Sequence, residues 1–205
     1  MKLLRHELGR EIRCLMRSLR LATLSTGLAT AEGWPYGSMV TVAIDQSAYP
    51  LLLLSDLSDH THNLAEDSRA SLLFVQPTRH RNPQRGARVT VLGNIRKTNK
   101  PKQVARFLTM HPEAQMYADF GDFNFYRMSV ERAHWVGGFA QAQWLDGKQV
   151  TFKGTKVQTI SEAEAGVIDH VNLDHSDTVD LYARKLLGRR GDGWRMVGID
   201  GDGAD

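Results

Sequence analysis

Residues 51–74, LLLLSDLSDHTHNLAEDSRASLLF, constrain the fold of this chain more than any other stretch. An apolar strand ends on Ser55, and a short run rich in hydroxyls and histidines follows. Leu64 to Ser68 reads as the end of a helical turn, and Ala70 to Phe74 opens a second apolar strand. A strand feeding a helix start presents backbone N–H groups without intrahelical partners. Beside Ser55, Ser58, His60, Thr61 and Asn63 those groups form a candidate anion site. The plainer reading is a helix cap supplied by Ser58 or Asp59. Asp56 and Asp59 oppose a strong anion site, because both carboxylates repel a phosphate.

Strand signals dominate the first two thirds of the chain. Leu8, Ile12, Leu15 and Leu19 recur at helical spacing and predict an amphipathic first helix. Strands are predicted at Leu21–Thr26, Tyr36–Ile44, Leu51–Ser55, Ser71–Gln76, Val89–Arg96 and Phe123–Arg132. In the last of these, Phe123, Phe125, Met128 and Val130 are the expected inward positions, with a register break near Arg127. Helices are predicted at Lys100–Met110 and Glu113–Asp119. Hairpin turns outnumber crossover helices, so the expected sheet is antiparallel: a barrel with peripheral helices rather than a doubly wound sheet.

Composition changes after Leu145. A cofactor-binding barrel is expected over 1–146, a polar linker over 147–160 and a small, incomplete α+β module over 161–205. Within that module Ser161 and Glu164 have the spacing of a capping box. A second helix fits Asp177–Leu187, and Trp194–Ile199 reads as a strand.

Other constellations carry less. Asp169, His170, Asn172, Asp174, His175 and Asp177 invite a metal, but His170 and His175 lie roughly 140° apart on an ideal helix. Asp200-Gly201-Asp202-Gly203 begins like a calcium loop but lacks the downstream bidentate Glu. Arg79, His80, Arg81, Arg85 and Arg88 form a basic loop without interleaved aromatics, which argues against nucleic acid. The chain of 205 residues has a net charge of only +3 and one cysteine, Cys14. One cysteine excludes an internal disulfide and suits a reducing compartment, so a cytoplasmic protein is expected. No run nears the roughly 18 apolar residues of a membrane span. Walker, G-x-S-x-G and dinucleotide fingerprints are absent, no catalytic residue stands out, and no metal site is assigned.

LATLST at Leu21, PYGSMV at Pro35, the Leu51–Phe74 run and RVTVLGNIRKT at Arg88 occur in that order. With His111–Leu145 they resemble the FMN-binding split barrel related to pyridoxamine 5′-phosphate oxidase, most nearly its haem-utilisation (HugZ-type) branch. The resemblance implies a homodimer with a small-molecule cofactor at the subunit interface. It also implies an FMN phosphate held by an Arg, two Lys and polar side chains. Ser38 stands at the Arg position, Ala43 at one Lys position and His60 near the other. The expected cofactor contacts are therefore Ser38, Ser55, Ser58, His60, Thr61 and Asn63. The leading expectation is an FMN-dependent redox protein. The alternatives are a haem-binding or haem-degrading protein and a partner-binding regulator without cofactor.

Overall fold

The computed structural model describes residues 5–138 and 141–205. The chain divides into two units, 1–152 and 153–205.

The first unit opens with helix α1 (Arg5–Arg17), which buries Leu8, Ile12, Leu15 and Met16 on one face. Eight strands follow: β1 (Leu21–Leu28), β2 (Trp34–Thr41), β3 (Ala43–Ile44), β4 (Pro50–Ser55), β5 (Arg69–Val75), β6 (Arg88–Lys97), β7 (Phe123–Val136) and β8 (Ala142–Asp146). Helix α2 (Asp59–Glu66) joins β4 to β5, α3 (Pro101–Met110) joins β6 to β7, and α4 (Gly147–Val150) follows β8. Every pairing is antiparallel, in the order β2-β1-β5-β6-β7-β4-β3, with β8 added beside β7. The sheet curls around one core, as the split-barrel expectation required. Its inner face contributes Leu24, Leu52, Leu72, Phe74, Val89, Val91, Ile95 and Met128, and α1 packs into the same cluster.

Strand β4 is buried on both faces, which explains its unbroken run of leucines. Leu52 and Leu54 belong to the main core. Leu51 and Leu53 point the other way, toward the side on which α3 packs. Two buried side chains fasten α3 to the sheet edge. Arg106 Nε donates to the Ile44 carbonyl at 3.1 Å, and His111 Nε2 lies 2.9 Å from the Val42 carbonyl oxygen.

Strand β7 departs from expectation. Its inward residues are Tyr126, Met128 and Val130, followed by Ala133 and Trp135. Phe123 and Phe125 lie on the opposite parity. There Phe125 meets Phe107 edge-on at 5.7 Å, and Phe123 packs on Tyr117 at 4.9 Å. Both faces of this half-strand are apolar, so alternation could not say which was inner. The register break falls at Glu131, not near Arg127: Gly93 pairs with Val130 and Leu92 with Arg132.

The expected linker also differs. Asp146 caps α4 through a reciprocal capping box with Gln149, and α4 contacts α1 and β7 within the first unit. In the second unit, α5 (Thr155–Asp174) begins before Ser161 and is followed by α6 (Ser176–Lys185). Ser161 therefore lies within α5 rather than at its N-cap, and Glu164 accepts the Ile199 N–H at 3.2 Å. Trp194–Ile199 is extended chain rather than a strand, with one bridge from Ile199 to Ala204. Side chains hold it along the helices. Asn172 exchanges two bonds with the Met196 backbone at 2.8 and 2.9 Å, and Asp180 accepts from the Trp194 N–H at 2.8 Å.

The bulge depends on one missing side chain. A Cβ on Gly93 would sit 1.9 Å from the Ser129 carbonyl oxygen, a backbone atom that cannot swing away. Gly93→Ala should therefore force β6 and β7 apart and cost about 2–3 kcal/mol, measured as a lowered urea midpoint at unchanged slope.

Candidate functional site

Helix α2 carries most of the expected contacts, and the structure sorts them by direction. Ser58 occupies the N-cap with extended backbone (φ −90°, ψ 140°), but its hydroxyl makes no capping bond. Asp59 in the first turn complements the helix dipole instead.

His60 projects toward β2, where Ser38 Oγ shares a hydrogen bond with its Nδ1 at 3.2 Å. These two residues, 22 positions apart, are the part of the expected set that the fold brings together. His60 is half-buried. Loss of hydration holds its pKa below 6.5, and the Asp59 carboxylate only partly opposes that shift. The imidazole is therefore neutral at pH 7. Ala43, at one lost cation position, is buried in β3, where a lysine ammonium would have no solvent.

The other residues turn away from that pair. Asn63 is only 2% exposed. Its Oδ1 accepts from the Ala29 N–H at 2.8 Å and its Nδ2 donates to Thr26 Oγ1 at 2.9 Å. That side chain ties α2 to β1 and its following turn, a structural duty rather than the expected cofactor contact. Ser55 is similarly committed: its hydroxyl donates to Asp122 Oδ2 at 2.6 Å and accepts from the Leu57 N–H at 3.1 Å. Thr61 is 5% exposed, and its Oγ1 has no hydrogen-bond partner. A buried hydroxyl left unpaired costs about 1–3 kcal/mol.

Thr61 lines a groove of about 630 Å³ shared with Asp56, Leu64, Ile95, Lys97 and Tyr126, on a different side of α2 from His60. Sequence reasoning passed over Lys97 and Tyr126. The available signal was parity: Lys97 follows Ile95 by two and so shares its face.

The sheet has a second notable surface. Met39, Thr23, Leu73, Thr90, His134 and Trp144 are successive cross-strand partners on β2, β1, β5, β6, β7 and β8, and so form one row across the outer face. Met39 is 76% exposed and Trp144 48%. His134 stacks on Trp144 at 4.6 Å, and the Arg132 guanidinium lies 4.7 Å above the same indole. Leu21 and Val75 add to the apolar exposure of these strands.

His170 is bonded to Asp174 at 2.7 Å, and no group of metal-ligating side chains occurs among the described residues. No described helix is long and apolar enough to cross a membrane.

Residues 5–151 match the family model for the CREG β-barrel. The chain belongs to that family. This CREG-type barrel is 31% identical over 181 residues to the chloroplastic haem oxygenase HOZ of Arabidopsis thaliana, covering 86% of the chain and 55% of that protein. The chain thus spans about half the length of this curated relative. A haem-binding protein from Mycobacterium smegmatis superposes with a TM-score of 0.64 at 29% identity, over 98% of this chain and 81% of that one. A Clostridium acetobutylicum protein of the pyridoxinephosphate oxidase family shares the fold at a TM-score of 0.55 and 13% identity, over 71% of this chain and 98% of that one. The CREG-type barrel therefore has both haem-protein relatives and oxidase-like structural neighbours.

The depressed His60 pKa can be measured. An NMR titration should place its midpoint below 6.5, and Asp59→Asn should lower it further by removing the carboxylate that favours the charged form. The stability sign follows. Between the folded and unfolded pKa values the unfolded chain binds more protons. His60 thus favours folding above pH 6.5, and that contribution falls away as pH drops toward the folded value. A midpoint above 6.5 contradicts the assigned burial.

Proposed function

We propose that this CREG-type barrel binds haem. The observation that carries this reading is the Ser38–His60 pair. A half-buried, neutral imidazole anchored through Nδ1 suits a haem iron, which takes neutral histidine nitrogen. To the phosphate of FMN it offers no fixed positive charge, and so forgoes the stronger charge-assisted bonds. Ser38 and Ala43 carry no charge, and burial keeps His60 from acquiring one at neutral pH. The names of the Arabidopsis and mycobacterial relatives support the same choice. When bound, haem would supply redox chemistry at its iron. The protein would supply an oriented nitrogen, an apolar surface and exclusion of water.

A homodimer completes this reading. The outer row from Met39 to Trp144 leaves both of these large apolar side chains exposed, and exposed apolar patches mark interaction sites. A second copy laid on that face would bury it. Light scattering at micromolar concentration should report twice the chain mass, and Met39→Glu should shift it toward the monomer. A wild-type monomer at that concentration removes the interface from the proposal.

Hemin titration tests the cofactor. The expected result is a saturable Soret band with the shape of an imidazole-ligated iron, lost or altered in His60→Ala. A parallel FMN titration should show no saturation at micromolar flavin. Tight FMN binding without hemin binding would restore the flavin expectation. Binding of neither would leave the partner-binding regulator. If hemin binds, reductant and dioxygen should be added and the Soret band followed for loss, since haem oxygenation belongs so far to the longer relative alone.

A further inference from the structure

The groove on the far side of α2 takes no part in the Ser38–His60 site. Its lining has a definite chemistry. Leu64, Ile95 and Tyr126 make an apolar floor. At the rim, Lys97 Nζ lies 3.3 Å from Asp56 Oδ1, with both side chains about half exposed. Asn124 Nδ2 also donates to Asp56 Oδ2 at 3.0 Å and fixes the carboxylate in place. Lys97 in turn lies 5.9 Å from the Tyr126 ring centre. Between floor and rim stands Thr61, buried, with its hydroxyl unpartnered.

Arg96, Glu66 and His62 also line the groove, so its fixed charges of both signs balance, and that balance decides which ligand it accepts. A simple anion would meet Lys97 but be repelled by Asp56. A simple cation would meet Asp56 but be repelled by Lys97. A zwitterion satisfies both, because an ammonium has three donors and a carboxylate about four acceptor positions, more than the rim pair uses on itself. Threonine in a helix divides between two side-chain rotamers, so its hydroxyl can turn toward an occupant.

We propose that this groove binds a free apolar α-amino acid. Its ammonium meets Asp56, its carboxylate meets Lys97 and the Thr61 hydroxyl, and its side chain lies on Leu64, Ile95 and Tyr126. The site is separate from the haem reading and stands without it.

The test is an NMR titration of the full chain with L-phenylalanine and L-leucine, following amide shifts around Thr61 and Lys97. For a ligand of this size, Kd should be on the order of 0.1–1 mM. N-acetyl-L-phenylalanine lacks the ammonium and phenethylamine lacks the carboxylate. Each should bind at least about tenfold more weakly, as should the variants Lys97→Met and Asp56→Asn. Thr61→Val removes only the hydroxyl. It should weaken binding several-fold while leaving the thermal midpoint unchanged or higher, a combination that a purely structural threonine would not show. Hemin binding by Lys97→Met should match the wild type. Absence of saturable shifts up to about 10 mM amino acid overturns the proposal. So does binding of the acetylated and decarboxylated probes as tight as that of L-phenylalanine itself, because the rim charges would then play no part.

Discussion

The pairing of β6 with β7 holds the architecture together. It runs from Arg88–Val136 to Lys97–Tyr126, and β7 then offers its other edge to two different strands. Its first half pairs with β4 and its second with β8. One strand thereby connects the α2-bearing end of the sheet to the outer row that ends at Trp144. The bulge opposite Gly93 changes the parity of β7 midway. Without that extra residue, either Tyr126 and Met128 or Ala133 and Trp135 would face solvent. A close backbone approach that only glycine permits is thus the condition for one continuous core.

Helix α2 is short, and its three working residues point in three directions. Asn63 points inward and is spent on Thr26 and Ala29. His60 points to β2 and meets Ser38. Thr61 lines the groove, and its hydroxyl has no hydrogen-bond partner. Successive helical residues are about 100° apart, so a run of polar residues that reads as one cluster in sequence cannot form one site. The inward bonds of Asn63 set the helix orientation, and the other two directions follow from it.

Charge distinguishes the α2–β2 corner of this barrel, where an uncharged Ser38 meets a half-buried His60. Burial acts at both positions: Ala43 is shut off from solvent, and loss of hydration lowers the His60 pKa. What the α2–β2 corner keeps is a neutral nitrogen donor on a rigid support. Proteins named for haem and a structural neighbour of the pyridoxinephosphate oxidase family share this fold, and fold by itself does not fix function.

Much of the fold was legible from residue patterns. The spacing of Leu8, Ile12 and Leu15 marked α1, the unbroken leucines of β4 marked a strand covered on both faces, and the family motifs marked the barrel. Local rules suffice there, because periodicity and turn chemistry act over a few residues. The rest was decided by contacts distant in sequence. Phe123 and Phe125 turned outward because α3 and the turn after it cover that side with Phe107 and Tyr117. The expected strand at Trp194 became extended chain because Asn172 and Asp180 took up its backbone groups. The site divided in the same way. Its residue types were visible in the Leu51–Phe74 run, but Ser38 joined His60, and Lys97 faced Asp56, only once the sheet had curled. The sequence by itself determined which polar groups were available near α2; tertiary structure decided which of them are satisfied internally and which are left for a ligand.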